Sequence, residues 1–114
     1  VLRFAGAGQR AVVRFAGHEA SGNAGNGINV INGDGDLRFL NSLITNNNTS
    51  GIRIENWTNT DPRDITLIGT TTGGTSTING NFVGIDVLQG VGTQNLRITD
   101  STVNGNGVGI RAAA

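Results

Sequence analysis

A short motif, Gly-Ile-x followed by an apolar or small residue, recurs four times and constrains the fold of this chain more than any other feature. It begins at Gly27, Gly51, Gly84 and Gly109, at spacings of 24, 33 and 25 residues. Internal periods of roughly 20–50 residues are typical of solenoids, in which each repeat buries its apolar face against its neighbours. The chain should therefore consist of stacked copies of one unit.

Each repeat predicts three short strands with Asn and Gly corners, because both residue types tolerate left-handed backbone. Period-two alternation then sends every second side chain inward. Stacking the repeats predicts three inward columns. They are Leu2, Ile28, Ile52, Ile85 and Ile110; Phe15, Phe39, Leu67 and Ile98; and Ala20, Ile44, Ile78 and Val103.

Three strands per repeat predict an all-β parallel β-solenoid in a single domain spanning residues 1–114. Its coils should cover residues 1–26, 27–50, 51–83 and 84–108, with a final strand at 109–112. The Gly-Ile-x-Ile motif, the Asn and Gly corners and the Leu-x-Ile strand resemble the right-handed parallel β-helix superfamily, which includes pectate lyases, polygalacturonases, alginate epimerases, phage tailspikes and bacterial surface proteins. The resemblance implies a right-handed coil but leaves the function open, since one fold hosts many chemistries.

Composition excludes several function classes. Eight arginines balance eight acidic residues, so the formal net charge is zero, whereas a nucleic-acid-binding domain carries a basic excess. No apolar run reaches the roughly 18 residues of a membrane-spanning helix, so membrane insertion is not expected. Cysteine is absent, which rules out disulfides and thiolate metal sites.

Asparagine recurs shortly before each Gly-Ile motif. The positions are Asn23, Asn46 and Asn47, Asn79 and Asn81, and Asn104 and Asn106. Equivalent corners of successive coils lie about one strand spacing apart, so their amides can hydrogen-bond into a ladder. The predicted role of these residues is structural.

The third repeat departs from the pattern, because its Ile54–Ile65 and Leu67–Ser76 connections are longer than the matching ones in the second repeat. Insertions in solenoids form loops, and loops carry function. Trp57, Asp61 and Arg63 are therefore a candidate ligand loop. Trp57 could stack on a sugar ring or cover the apolar corner of its own coil.

Catalytic residues are not predicted. Asn59-Thr60-Asp61 is similar to the start of the polygalacturonase Asn-Thr-Asp-Gly motif, but Pro62 replaces the glycine and the downstream segments are missing. Glycoside hydrolysis needs two carboxylates across the scissile bond. His18 is the only histidine, and it occupies the position that serine holds in later repeats. We therefore expect it to be a polar residue at a corner rather than a general base.

Two further sets of charged residues are candidates for binding. Asp36 and Asp64 both precede the second strand of their repeats and could share a Ca²⁺ ion with loop carbonyls. Arg14, Arg38 and Arg97 form an outward row interrupted by Thr66. That row could bind acidic sugars or phosphate, or it could be a solvated face neutralised by nearby aspartates.

The two ends of the solenoid are predicted to be uncapped. Val1-Leu2-Arg3-Phe4 and Gly109-Ile110-Arg111-Ala112 are terminal strands, and such edges recruit another chain unless covered. The first column has five strands and the others four, so a joint needs a strand lent to the neighbour or residues outside this sequence.

These features predict a structural, extracellular or cell-surface β-solenoid that self-associates through its ends in a bacterial fibre or adhesin. The alternatives are a fragment or degenerate member of a polysaccharide lyase, hydrolase or epimerase of this fold, and a carbohydrate-binding module like those of tailspikes.

Overall fold

A computed structural model describes residues 2–5, 10–17, 19–59, 66–69, 76–88 and 96–113, with the backbone alone for 2–5, 10–13 and 113. This part of the chain is all-β, and it contains no helix that could cross a membrane. Its strands are β1 (Leu2–Ala5), β2 (Arg10–Ala16), β3 (Glu19–Ser21), β4 (Ile28–Leu40), β5 (Leu43–Thr45), β6 (Ser50–Thr58), β7 (Thr66–Gly69), β8 (Ser76–Asn79), β9 (Val83–Leu88), β10 (Leu96–Ile98), β11 (Ser101–Asn104) and β12 (Val108–Ala113).

All pairs between these strands are parallel, and they fall into three columns. Column one contains β1, the first half of β4, β6, β9 and β12. Column two contains β2, the second half of β4, β7 and β10, and column three contains β3, β5, β8 and β11. Because β4 belongs to columns one and two, these form one eight-stranded sheet, whereas column three is a separate four-stranded sheet.

The predicted register of column one is confirmed. Leu2 pairs with Ile28, Ile28 with Ile52, Ile52 with Ile85, and Ile85 with Ile110. The three isoleucines in the middle of this row are completely buried. Like side chains therefore stack along the column, and each repeat covers the apolar face of the next.

Column three also follows the prediction. Ala20 pairs with Ile44, Ile44 with Ile78, and Ile78 with Val103. Ile44 and Ile78 are completely buried and belong to the same apolar core as column one. Columns one and three thus contribute side chains to one apolar core.

The predicted register of column two is wrong by one residue in the third repeat. Phe15 pairs with Phe39 and their rings stack with centroids 5.0 Å apart, but Phe39 pairs with Ile68 rather than Leu67. Ile68 then pairs with Ile98. Thr66 to Gly69 are all buried, so this strand has no alternation that would set its phase.

A turn constraint favours the observed register. Gly69 has a φ of 145° and lies so close to the Thr99 backbone that a Cβ would overlap the Thr99 carbonyl. The shift places this glycine beside Leu40, where only a residue without a side chain fits. Leu67 consequently lies between Arg38 and Arg97, at the position that the sequence predicted for Thr66.

The corners after the third strand of each repeat share one backbone conformation. The residue there has a φ between 56° and 68° in all four repeats: Gly22, Asn46, Gly80 and Gly105. This left-handed region is costly for most side chains but accessible to glycine and asparagine. The Asn and Gly corners thus repeat the same turn and keep the strands in register.

The core of column one supplies a test of this register. We expect Ile52→Ala to lower the free energy of unfolding by about 2–5 kcal/mol, because it leaves a cavity between two buried isoleucines. Urea unfolding followed by circular dichroism measures the change. Arg53→Ala, at the half-buried neighbouring position, is the control and should cost far less; an equal loss for both variants would contradict the assigned inward face.

Candidate functional site

A ladder of four asparagine side chains runs along the corner between columns three and one. The Nδ2 of Asn23 donates to the Oδ1 of Asn47 at 2.7 Å, Asn47 Nδ2 donates to Asn81 Oδ1 at 2.8 Å, and Asn81 Nδ2 donates to Asn106 Oδ1 at 3.0 Å. Asn47 and Asn81 are buried. The ladder predicted from the sequence is therefore present.

From Asn47 onward, each rung also binds the backbone of the preceding repeat. The Oδ1 of Asn81 accepts from the backbone N–H of Asn47 at 3.0 Å, while its Nδ2 donates to the carbonyl of Ile44 at 3.2 Å. Asn47 and Asn106 donate in the same way to Ala20 and Ile78. A single amide thus connects three successive repeats and satisfies buried polar groups that a corner would otherwise leave unpaired.

A column of glycines makes room for this ladder. A Cβ on Gly27 would lie 2.7 Å from Asn47 Nδ2 and 2.7 Å from the Gly51 carbonyl, and a Cβ on Gly51 would lie 2.8 Å from Asn81 Nδ2. On Gly84 it would lie 2.5 Å from the Gly109 carbonyl. The glycine of the first three Gly-Ile motifs is therefore required because the next repeat approaches so closely.

The last repeat has the same residues without this covering. A Cβ on Gly109 would meet nothing within 4 Å, and Asn106 Nδ2 donates only to Ile78 among the described residues. Val108 and Ile110 are 40% and 47% exposed, whereas their partners Val83 and Ile85 in the previous repeat are completely buried. We call Asn106, Val108, Gly109, Ile110 and Arg111 the C-terminal edge.

One ion pair fastens the last strand to the stack. Arg111 on β12 donates to both carboxylate oxygens of Asp86 on β9, from Nε at 3.0 Å and from Nη2 at 2.8 Å. Asp86 is buried and Arg111 is half-exposed. The hydrogen bond from Arg111 lowers the pKa of Asp86 more than burial raises it, and weaker contributions from Ser50 and Arg53 act in the same direction.

The predicted ligand loop is only partly within the described residues. Trp57 is completely buried, donates from Nε1 to the Gly35 carbonyl at 3.2 Å, and presses its ring against Gly33. Its ring therefore covers the Gly33–Gly35 corner of the preceding repeat and offers no face to a sugar. Asp61 and Arg63 lie outside the described residues, so the role of the loop stays a prediction.

A shallow polar cavity lies on the other side of that corner. It has a volume of about 320 Å³ and is lined by Asn32, Gly33, Asp34, Asn56 and Thr58. Thr58 donates to Asp34 at 3.0 Å, and Asn56 donates to Asn32 at 3.1 Å. One sequence signal could have indicated this cavity: asparagine recurs with a 24-residue spacing at Asn32 and Asn56.

The other predicted site residues give no assembled centre in the described part of the chain. Asp36 forms an ion pair with Arg38 at 2.6 Å, and no group of three potential metal ligands occurs among the described residues. The equivalence of Asp36 and Asp64 assumed that Leu37 pairs with Ile65, but Leu37 pairs with Thr66. Asp64 and His18 lie outside the described residues.

Two outward rows of charged and polar residues are present. Asn29, Arg53, Asp86 and Arg111 are neighbours in column one. In column two, Arg14 lies beside Arg38, and buried Leu67 separates Arg38 from Arg97. The Asp36–Arg38 pair neutralises the middle of this row.

Comparisons with known proteins add no relationship. No protein-family profile matches the chain, and searches of curated proteins and of solved structures found no match. The candidate site therefore depends on the geometry of the ladder and of the C-terminal edge.

The ladder predicts a large difference between a buried asparagine of a rung and an exposed asparagine of a corner. Asn81→Asp keeps the Oδ1 acceptor but replaces the Nδ2 donor by an oxygen facing the carbonyl of Ile44 and Oδ1 of Asn106. Leaving such buried groups unpaired costs about 1–3 kcal/mol each, and more when a charge is buried. Urea unfolding of Asn81→Asp should show this loss, whereas Asn48→Asp, at an exposed position of a corner, should change little. Equal effects would contradict the ladder.

The Asp86–Arg111 pair predicts a pH dependence. The folded-state pKa of Asp86 is lowered, so the pair contributes stability that is fully present above the ordinary aspartate range and is lost as the pH falls through the folded value. As the pH falls below about 4, the wild type should therefore lose more stability than Asp86→Asn. Asp100→Asn, which removes an exposed carboxylate, is the control and should follow the wild type. Parallel curves for wild type and Asp86→Asn would contradict the assignment.

Proposed function

We propose that the chain is a segment of a right-handed parallel β-helix of about four coils, similar to the pectate-lyase-like superfamily, with a structural role in a bacterial surface fibre or adhesin. The parallel columns, the repeated left-handed corners and the inward stacking of like residues support this fold. An extracellular or cell-surface location is part of the same proposal. It is supported by the resemblance to surface solenoids.

The observation that carries the proposal is the C-terminal edge. It repeats residues that the inner repeats bury, yet Val108 and Ile110 are 40% and 47% exposed. The backbone groups of β12 that face away from β9 have no strand beside them among the described residues. Edges of this kind add a further strand readily, because main-chain hydrogen bonds and apolar burial both favour it.

We propose a second copy of the chain as the occupant of this edge. The edge already has the column spacing, the apolar row and the amide that a repeat of the same sequence would match. A contact between one end and the opposite end of another copy is heterologous. Repeated along the solenoid axis it gives an open fibre rather than a closed ring.

A carbohydrate-binding module like those of tailspikes is the second candidate. The shallow cavity at Asn32, Asp34, Asn56 and Thr58 supports it, since amide, hydroxyl and carboxylate groups suit sugar hydroxyls. Nothing in the described residues adds to the enzyme alternative, which is a fragment or degenerate polysaccharide lyase, hydrolase or epimerase. For both alternatives the polysaccharide partner stays a proposal.

Gly109→Ala tests self-association through the edge. In an isolated chain its Cβ meets nothing within 4 Å, so the fold and its stability should be unchanged. In an assembly the same Cβ should meet the next copy as closely as a Cβ on Gly84 would meet Gly109, and the fibres should be lost or shortened. Sedimentation velocity and negative-stain electron microscopy over a concentration series measure the assembly.

Gly25→Ala is the matched control. Its Cβ also meets nothing within 4 Å, and the equivalent residue of the next repeat is Thr49, so a side chain is compatible with stacking there. This variant should assemble like the wild type. A wild type that stays monomeric, or equal assembly of Gly109→Ala and wild type, would overturn the proposal.

A further inference from the structure

The unequal strand numbers of the three columns restrict how two copies can join. Among the described residues, column one has five strands, while columns two and three have four each. If β1 of a second copy added to β12 of the first, columns two and three would each lack one strand at the joint. The core at that level would then be open on two of its three sides.

The first and last strands occupy equivalent positions in their column. Leu2 and Arg3 pair with Ile28 and Asn29, and the register continues through β6 and β9 to Ile110 and Arg111. An apolar residue followed by arginine thus stands in the same place on both strands. β12 therefore presents to a neighbouring β4 the same sequence of residue types that β1 presents to it within the chain.

We propose that copies join by strand exchange: β12 of one copy replaces β1 beside β4 of the next copy. This inference rests on the proposed self-association. The joint then places β2 of the next copy on β10, β3 on β11 and β4 on β12. All three columns continue across it without a missing strand.

This joint continues the ladder and the glycine column. Asn106 comes to lie beside Asn23 of the next copy. The second Nδ2 hydrogen of Asn106 then faces the Oδ1 of that Asn23, just as the Nδ2 of each inner rung faces the Oδ1 of the next rung. Gly109 comes to lie beside Gly27 of the next copy, and the exposed Ile110 beside buried Ile28. Each contact reproduces one that the structure shows between inner repeats.

A buried polar atom on β4 lies in the same row of the joint. Asn29 Oδ1 is buried and accepts no hydrogen bond from the described residues. In the exchanged joint it lies beside Arg111, which uses Nε and Nη2 for Asp86 and has further N–H donors available. Direct addition of β1 to β12 would instead place Arg3 beside Arg111, and like charges in facing positions are destabilising.

Engineered cysteines distinguish the two joints, because the chain has no cysteine of its own. Thr102 and Glu19 occupy the same outward row of column three, three strand spacings apart within one copy. Strand exchange brings Thr102 within one spacing, about 4.8 Å, of Glu19 of the next copy. Direct addition leaves two spacings, beyond the roughly 7 Å Cα limit for a disulfide.

The experiment mixes Thr102→Cys with ¹⁵N-labelled Glu19→Cys, oxidises mildly, and identifies the linked pair by mass spectrometry. We expect a labelled–unlabelled dimer as the main product and little from either variant alone. The competing mixture, Ala5→Cys with Ala113→Cys, probes equivalent register positions on β1 and β12. It should give no more than the single-variant background.

The outcomes separate the two proposals. Fibres in which only the Ala5→Cys and Ala113→Cys mixture links would overturn strand exchange and leave self-association intact. Fibres in which neither mixture links would also overturn strand exchange. Failure of the unmodified chain to assemble at all would overturn both.

Discussion

The structure depends on hydrogen bonds made by one side chain to the repeats on either side of it. The asparagine amide at the corner has a donor pair and an acceptor, and in each inner rung all of these are used between repeats. An isolated repeat would leave these groups unpaired in an apolar corner, which is costly. The ladder therefore stabilises the stack but not a single repeat.

The same dependence explains the glycine of the first three Gly-Ile motifs. The amide reaches the neighbouring repeat only if no side chain stands between them, and a Cβ on Gly27, Gly51 or Gly84 would lie within 2.8 Å of the neighbouring repeat. The corner asparagine and the glycine of the Gly-Ile motif thus act together, although they are apart in the sequence. The repetition of this pair means that the last repeat has a complete set of contacts to offer and no neighbour among the described residues to receive it.

The columns that the sequence predicted correctly are those with clear alternation. Ile28-Asn29-Val30 and Thr77-Ile78-Asn79 mark their inward side chains by contrast with polar neighbours. Thr66-Leu67-Ile68-Gly69 has no such contrast, since all four residues are buried, and the register there follows from the close approach of Gly69 to Thr99. That approach is a property of the assembled stack and is not visible in the local pattern.

The candidate site was predictable to a similar extent. The terminal strand and the ladder followed from the repeat, whereas the burial of Trp57 depends on Gly33 leaving room for its ring in the adjacent repeat. The proposed fit of β12 to the place of β1 uses the column-one register, which the sequence predicted correctly. The exposure of Val108 and Ile110 could not be read from the sequence, because Val83 and Ile85, their counterparts in the previous repeat, are buried.

The axial rise per subunit of the proposed fibre, measured by cryo-electron microscopy with helical reconstruction, distinguishes strand exchange from direct addition. Strand exchange adds four levels per copy, so we expect a rise of about 19 Å, four strand spacings of about 4.8 Å. Direct addition of β1 to β12 would add five levels and give about 24 Å. A rise of about 24 Å, or strands that do not lie across the fibre axis, would contradict the account.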